Sequence, residues 1–395
     1  MTSLAGGSVA PHLRVLRLVG FCRLRAPAGR AAPGLARRLH GLYCWFALAA
    51  TSFYVLQQGI YAYQERHDMV KLSRVLFVLL CHCTCISKQV VFHAHAPQID
   101  ALIRSLDQPL FNQGGAAREA LLRRAAARAA RVLRAYYGCG IATCVLWTAF
   151  PVIYRLQGHY VEMPFWTFID YRKAFMFVVV VSHSFYATNL VAVGNTTMDA
   201  FIATVLYQCQ TQLRILRLNF ESLPERARIA SKELSKGDYE ATLNKLLLEC
   251  ILHFQKIADT MELLQRVFGL AVLVQFTVGG WILCMAAYKI VSVDILSFEF
   301  ASTTLFIVCI LTELFLYCYY GNEVTVESDR VVESIYSMEW LHAPLRFKKS
   351  LVLMMERAKR PLRPAAGRVI PLSLDTFVTI LKSSYSFYAV LRQTK

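Results

Sequence analysis

The sequence predicts an all-α membrane protein with seven transmembrane helices, a cytoplasmic N-terminus and an extracellular C-terminus. Of its 395 residues, 56% are hydrophobic and only 17% are charged, and the mean hydropathy is +0.41. This composition is typical of chains that fold in lipid. Seven apolar runs approach the roughly 20 residues that a membrane-spanning helix needs. Positive charge alternates between the segments that connect them.

The seven runs define the predicted spans in chain order. They cover residues 41–63, 72–94, 136–154, 174–193, 267–288, 300–320 and 371–391. The first run is longer than the apolar core of a cleavable secretory signal, so it predicts a helix that stays in the membrane. The second and seventh runs contain more polar residues than the others.

The distribution of Lys and Arg predicts the orientation of the helices. From the N-terminus onward, the segments outside the runs contain 7, 2, 7, 3, 9, 1, 9 and 2 of these residues, so alternate segments total 32 and 8. Basic connections remain on the cytoplasmic side. The net charge of +17 is therefore expected to face anionic lipids of the inner leaflet, and no nucleic-acid partner is predicted.

Two long cytoplasmic segments carry apolar stripes at helical spacing. One continues the fourth span through Leu213, Leu216 and Phe220. Such helices must bury their apolar faces, so we expect an anchor bundle beneath the membrane. The predicted order begins with a cytoplasmic N-terminal segment (1–40), membrane helices one to four (41–208) and an anchor segment (209–266). It continues with membrane helices five and six (267–320), further anchor helices (321–370), and a pore helix with a short extracellular tail (371–395).

The sequence lacks the common signatures of enzymes and metal sites. It contains no Gly-x-Ser-x-Gly, Walker or His-Glu-x-x-His motif, so no catalytic activity is predicted. The segment Cys81–Cys85 holds three cysteines and His82, but a helix turns Cys83 away from its neighbours. We therefore predict no metal and no cofactor. Most other cysteines lie inside apolar runs, where we expect small buried side chains and no disulfide framework. A single extracellular disulfide remains an alternative.

Four ionisable residues lie inside the apolar runs: Lys88, His183, Glu313 and Lys382. Such groups are costly in a bilayer and are functional candidates. Lys88 lies near the inner end of its run, from which its ammonium can extend to the interface. For Glu313 and Lys382 we weigh a mutual ion pair against separate packing toward the protein interior.

The last predicted helix has one polar face that contains a single apolar side chain. Its members recur at steps of three and four residues: Asp375, Thr379, Lys382, Ser383, Ser386, Val390 and Gln393. A polar stripe in a membrane must face protein or water. Either several copies surround a wet pore narrowed by Val390, or the stripe is buried against helices of the same chain, as a transporter would require.

The last third of the sequence resembles the insect odorant receptors. The matching segments are Pro371–Phe377, Ile380–Ser386, Leu391–Arg392, Tyr320–Val324, Ser334–Tyr336 and Trp340. The resemblance implies a ligand-gated, non-selective cation channel, assembled as a heterotetramer with a shared co-receptor in the plasma membrane of a sensory dendrite. It also implies that Val390 is the gate and that Gln393 lies at the outer mouth of the pore. Arg392 differs from the apolar residue of the co-receptor, which favours the odorant-binding subunit.

The resemblance further implies a ligand site among the outer halves of helices two, three, four and six. An apolar and aromatic lining there suits a small volatile odorant or pheromone. The candidates are Leu76, Leu79, Leu80, Trp147, Phe150, Tyr154, Met176, Val180, His183, Thr303, Phe306 and Ile307.

Two other receptor classes are alternatives. A gustatory receptor channel shares the topology, but its last helix would end in a Thr-Tyr and Gln-Phe pattern where this chain has Ser384-Tyr385 and Arg392-Gln393. A G-protein-coupled receptor predicts an external N-terminus and an Asn-Pro-x-x-Tyr motif near the end of the seventh span. The sequence contains no such motif there.

Overall fold

A computed structural model describes residues 3–23, 34–159, 161–233, 239–291, 293–295 and 297–393. The described part is almost entirely helical. Its α-helices are α1 Leu4–Gly7, α2 Ala10–Leu18, α3 Gly34–Gln64, α4 Met69–Ala94, α5 Ala96–Leu106, α6 Ala116–Leu156, α7 Ala174–Glu221, α8 Leu223–Glu233, α9 Tyr239–Val291, α10 Phe298–Ser337, α11 Leu345–Ala358 and α12 Leu374–Gln393. A 3-10 turn, Pro109–Phe111, follows α5, and a hairpin of β1 Ala365–Ala366 and β2 Ile370–Pro371 precedes α12.

Seven of these helices form the membrane part, which confirms the predicted fold class. Among the described residues, α3, α4, α6, α7, α9 and α10 are long and apolar enough to cross a bilayer. Helix α12 has 20 residues, which is sufficient for a crossing, although its polar stripe makes it less apolar. The side of the membrane on which each terminus lies stays a prediction.

Several membrane helices continue far beyond the bilayer. Helix α7 has 48 residues, which makes it about 72 Å long at 1.5 Å per residue, against about 30 Å of hydrocarbon. The stripe residues Leu213, Leu216 and Phe220 are fully buried in its extension. Two arginines of this extension bind α10, because Arg214 and Arg217 each lie 2.8 Å from a carboxylate oxygen of Glu327.

The N-terminal segment packs against the same end of the helix bundle. His12 of α2 is fully buried, and its Nε2 lies 3.2 Å from the hydroxyl of Thr204 in α7. The Ser3 hydroxyl donates to Asn112 Oδ1 at 3.2 Å, just beyond the 3-10 turn. Residues 3–23 and the connection after α4 therefore lie together, which is the arrangement that the alternating charge predicts.

The hairpin and two glycines attach α12 to α9 and α10. The amide of Gly367 donates to the carbonyl of Gly269 at 2.8 Å, and Gly367 has a φ of +58°, which favours glycine. A Cβ atom at Gly321 would lie 2.3 Å from Leu372 Cβ. From this point α12 runs beside α9 until Phe387 stacks on Trp281, with ring centroids 4.9 Å apart.

Candidate functional site

A cavity lies between α4, α6, α7 and α10, which are the second, third, fourth and sixth membrane helices. Its volume is about 50 Å³, which is smaller than the roughly 300–1,000 Å³ of typical small-molecule sites, so a ligand larger than a few water molecules requires lining side chains to move. Its lining is mostly apolar, with several polar groups: Val78, Cys81, His82, Tyr136, Gly140, Thr143, Cys144, Trp147, Thr188, Val191, Ala192, Asn195, Thr196, Phe306, Cys309, Ile310 and Glu313.

Small side chains account for the position of this cavity. Helices α6 and α7 approach each other at Gly140, where an added Cβ atom would lie 3.4 Å from Thr196 Cγ2 and 3.8 Å from Ala192 Cβ. Thr143 and Cys144, also small, face the same space. Because glycine, alanine, serine and threonine allow close helix packing in membranes, α6 and α7 approach each other here, and their small side chains leave space unfilled beside them.

An aromatic cluster forms one wall of the cavity. The ring centroids of Trp147 and Phe306 are 5.5 Å apart, and both rings also contact Phe77, at 6.0 and 4.9 Å. These separations are typical of favourable aromatic pairs. The wall therefore offers a flat apolar surface to a ligand.

A buried ion cluster lies beside the cavity and joins three helices. Lys88 Nζ of α4 donates to Asp199 Oδ1 of α7 at 2.6 Å and to Glu313 Oε1 of α10 at 2.7 Å. The Tyr317 hydroxyl also donates to Asp199 Oδ1, at 2.5 Å. The side chains of the three charged residues are 0 to 1% exposed, so the ammonium is compensated by the two carboxyl groups and not by water.

This cluster corrects two sequence-based expectations. Lys88 does not extend to the membrane interface, because its ammonium is enclosed by the two carboxylates. Glu313 pairs with Lys88 and not with Lys382, whose side chain is exposed on α12. Asp199 is not among the ionisable residues expected in the membrane, because it lies six positions beyond the fourth apolar run.

Two of the twelve predicted ligand residues, Trp147 and Phe306, line the cavity. Three others, Leu76, Leu80 and Ile307, are partly buried against the main core. Leu79 packs in a small cluster around Tyr61. The roles of these four residues in ligand binding stay predictions.

The other six candidates lie nearer the helix ends that are predicted to be extracellular. Val180 is buried in a cluster with Tyr54 and Phe165. His183 Nε2 lies 3.0 Å from Gln57 Oε1, and the buried Thr303 hydroxyl donates to the Glu299 carbonyl. The remaining three are the ring pair Phe150 and Tyr154, with centroids 4.7 Å apart, and the exposed Met176.

The connection between α6 and α7 explains why the cavity lies deeper in the bundle than the predicted ligand site. Its residues Val161, Met163 and Phe165 pack against Tyr54 and Phe177 and fill the space between the helix ends. The open space consequently lies deeper in the bundle. A repeated spacing of i, i+3, i+4 and i+7 marks the deeper residues on two helices: 140, 143, 144 and 147, and 306, 309, 310 and 313.

The polar stripe of α12 faces away from the rest of the protomer. Thr379, Lys382, Ser383 and Ser386 are exposed, and Val390 is 60% exposed. The other sides of the helix pack on α9 and α10: Phe387 stacks on Trp281, Phe377 contacts Phe315, and Ser384 is 6% exposed. Burial of the stripe within the same chain, which the transporter interpretation requires, is therefore wrong. The side chain of Gln393 lies outside the described residues.

All twelve cysteines are free thiols, so the disulfide left open by the sequence is not present. The thiols of Cys139 and Cys309 are neighbours, with their sulfur atoms 3.4 Å apart. Among the residues described by the structure, no three His, Cys, Asp or Glu side chains are grouped to hold a metal ion.

Comparisons with known proteins give one consistent result. The family model described as 7tm odorant receptor matches residues 68–385. Odorant receptor Or1 of Anopheles gambiae is 21% identical over 356 residues, which cover 86% of this chain and 85% of the relative. Odorant receptor 2a of Drosophila melanogaster is 23% identical over 235 residues, which span 59% of each chain.

The fold also matches an experimental structure. The insect olfactory receptor OR5 from Machilis hrabei, in complex with eugenol, superposes with a TM-score of 0.84 and covers 98% of both chains. The two sequences are 16% identical, so this similarity concerns the fold alone.

Proposed function

Because this chain belongs to the odorant receptor family of membrane proteins, we propose that it is the odorant-binding subunit of a ligand-gated cation channel. Membership in this family confirms the resemblance seen in the last third of the sequence, and the chain is a multi-pass membrane receptor. In the proposed mechanism, a small volatile molecule occupies the cavity among α4, α6, α7 and α10. Its binding opens a pore lined by α12 and by the equivalent helices of other subunits.

The outward polar stripe of α12 is the observation that carries the pore assignment. Lipid cannot satisfy the hydroxyls and the ammonium of this stripe, and the rest of the protomer does not cover it. Apposed copies of α12 around an axis would enclose water and satisfy these groups. A complete pore therefore requires several subunits.

The proposed pore has a polar lining and one apolar constriction. Thr379, Lys382, Ser383 and Ser386 form the lining, and a ring of Val390 side chains forms the gate. An apolar ring excludes water when it is narrow, so a small displacement of α12 would change conduction steeply. Gln393 would lie at the outer mouth, beyond the gate.

The proposed partner is the shared co-receptor of insect odorant receptors. Arg392, which follows the gate residue by two positions, is the residue that favours assignment of this chain to the odorant-binding role. The ligand would be a small odorant or pheromone, because the cavity volume is only about 50 Å³ and even a compact molecule requires lining side chains to move. Eugenol, which is bound by the receptor of similar fold, is a suitable first member of a test panel.

Current recordings from cells that express this chain test the proposal. Three preparations are compared: cells that express this chain alone, cells that express it with an insect co-receptor, and cells that express the co-receptor alone. Each preparation receives the same panel of volatile compounds. We expect compound-evoked cation currents that require both proteins. Evoked currents without the co-receptor would refute the partner assignment, and a correctly targeted complex that responds to no volatile compound would refute the receptor mechanism.

A further inference from the structure

The cavity contains polar atoms that the protein itself leaves without partners. Asn195 Oδ1 and Glu313 Oε2 are buried acceptors with no hydrogen-bond donor among the described residues. Both residues line the cavity, and they are 4% and 0% exposed. Unpaired buried polar atoms are unfavourable and rare in native proteins, so a binding partner that donates hydrogen bonds would relieve this cost.

The charged groups beside the cavity also favour a ligand that donates hydrogen bonds. The buried cluster contains one ammonium, that of Lys88, and two carboxyl groups, those of Asp199 and Glu313. Among the described residues that line the cavity, Glu313 is the only Lys, Arg, Asp or Glu. The site therefore attracts hydrogen-bond donors and cations, and it disfavours carboxylates.

The rest of the lining suits the body of a small aromatic or aliphatic molecule. Trp147, Phe306 and Tyr136 supply apolar ring surfaces, on which an aromatic ring or a cation can pack. Trp147 Nε1 is a third buried polar atom without a partner. It can donate a hydrogen bond to a hydroxyl oxygen, whereas an ammonium has no lone pair to accept one.

We propose that this cavity selects small amphipathic ligands whose head group donates hydrogen bonds, a hydroxyl or an ammonium, on an apolar or aromatic body. The proposal rests on the ligand-binding role proposed above and specifies its chemistry. Asn195 and Glu313 are the residues that determine this specificity.

A matched series of four compounds tests the proposal through direct binding. 2-Phenylethanol donates and accepts, 2-phenylethylamine carries an ammonium, the methyl ether of 2-phenylethanol only accepts, and ethylbenzene does neither. Binding to the purified full chain is measured as ligand-induced thermal stabilisation. We expect half-maximal stabilisation by the alcohol or the amine at concentrations about tenfold lower than by the ether.

Three variants assign the preference to individual residues. Asn195→Ala removes one acceptor and should abolish the preference of the alcohol over the ether. Asn189→Ala is the matched control, because this residue lies on the same helix outside the cavity lining and its amide donates to the Phe185 carbonyl. Glu313→Gln keeps an acceptor oxygen but removes the charge, and it should weaken amine binding more than alcohol binding.

The binding readout separates this proposal from the channel function. Preferential stabilisation by donors that disappears in Asn195→Ala and persists in Asn189→Ala supports the proposal, even if no current is evoked. Equal binding of ether and alcohol overturns it, even if currents are evoked. Absence of stabilisation by any of the four compounds also overturns it, as does an unchanged donor preference in both Asn195→Ala and Glu313→Gln.

Discussion

Two lysines of the membrane part differ in how their charge is compensated. Lys88 is fully buried within the protomer, where Asp199 and Glu313 compensate its charge at 2.6 and 2.7 Å. Lys382 lies on the outward face of α12, among hydroxyl groups and with its side chain exposed. The first lysine is satisfied within one chain. The second is satisfied only when water or another subunit covers α12.

This difference separates structural charges from assembly surfaces. A compensated buried charge stabilises the packing of the helices that supply its partners, and its removal is costly. An exposed polar stripe on a membrane helix contributes little to the stability of the protomer and instead restricts what can pack beside it. The two regions should therefore respond differently to mutation.

The largest expected effect is the removal of the buried lysine. Lys88→Met leaves Asp199 and Glu313 as uncompensated neighbouring acids, which should lower the free energy of unfolding by about 3–5 kcal/mol. Thermal unfolding of the purified protein in detergent measures this loss. Lys382→Met is the control and should change the unfolding free energy by less than about 0.5 kcal/mol. Equal losses in the two variants would contradict the comparison.

The attachment of α12 can be weakened at one glycine. In Gly321→Ala the new methyl group would lie 2.3 Å from Leu372 Cβ and 2.7 Å from its carbonyl oxygen. The chain must shift there, at a cost of about 1–3 kcal/mol, again measured by thermal unfolding. Gly59→Ala is a control in helix α3, where an added Cβ atom meets nothing within 4 Å. That control should be neutral or stabilising, because alanine favours a helix, and destabilisation of both variants to the same extent would argue against the steric explanation.

The buried His12, which has no charged partner among the described residues, should make the stability of the protein depend on pH. Burial lowers the pKa of His12 from 6.5 to about 4, so the folded protein holds this imidazole neutral while the unfolded chain protonates it below pH 6.5. Stability is therefore lost as the pH falls, by about 1.4 kcal/mol between pH 7.5 and 5.5. The measurement compares thermal unfolding of the wild type and His12→Gln at both pH values. The same pH dependence in both proteins would exclude His12 as its source.

The smallest effect on the protomer is expected at the gate position. Because Val390 is 60% exposed, Val390→Ala should change the unfolding free energy by less than about 0.5 kcal/mol. It should nevertheless widen the proposed apolar ring and raise the current that flows without ligand. Val378→Ala, on the same helix but outside the stripe, is the control for the recordings and should leave this leak unchanged. A leak that is the same in both variants would contradict the gate assignment.

Local features of the sequence were sufficient to predict the membrane helices. Apolar runs identified the seven spans, and helical spacing predicted the continuation of the fourth span to Phe220, which α7 contains. Trp147 and Phe306, two of the predicted ligand residues, line the cavity, because the resemblance indicated the four helices that surround it. The depth of the cavity was missed, because it depends on side chains of the connection after α6, such as Phe165, that fill the helix ends.

The sequence by itself determined the number of membrane helices, the alternation of charge between their connections and the existence of a polar stripe on α12. These properties depend on residues a few positions apart, so hydropathy and helical periodicity reveal them. Only the tertiary structure decided that Lys88 binds acids 111 and 225 positions away, and that the stripe faces outward. The reason is physical: the partner of a buried charge and the outward face of a helix depend on which distant helices pack beside it.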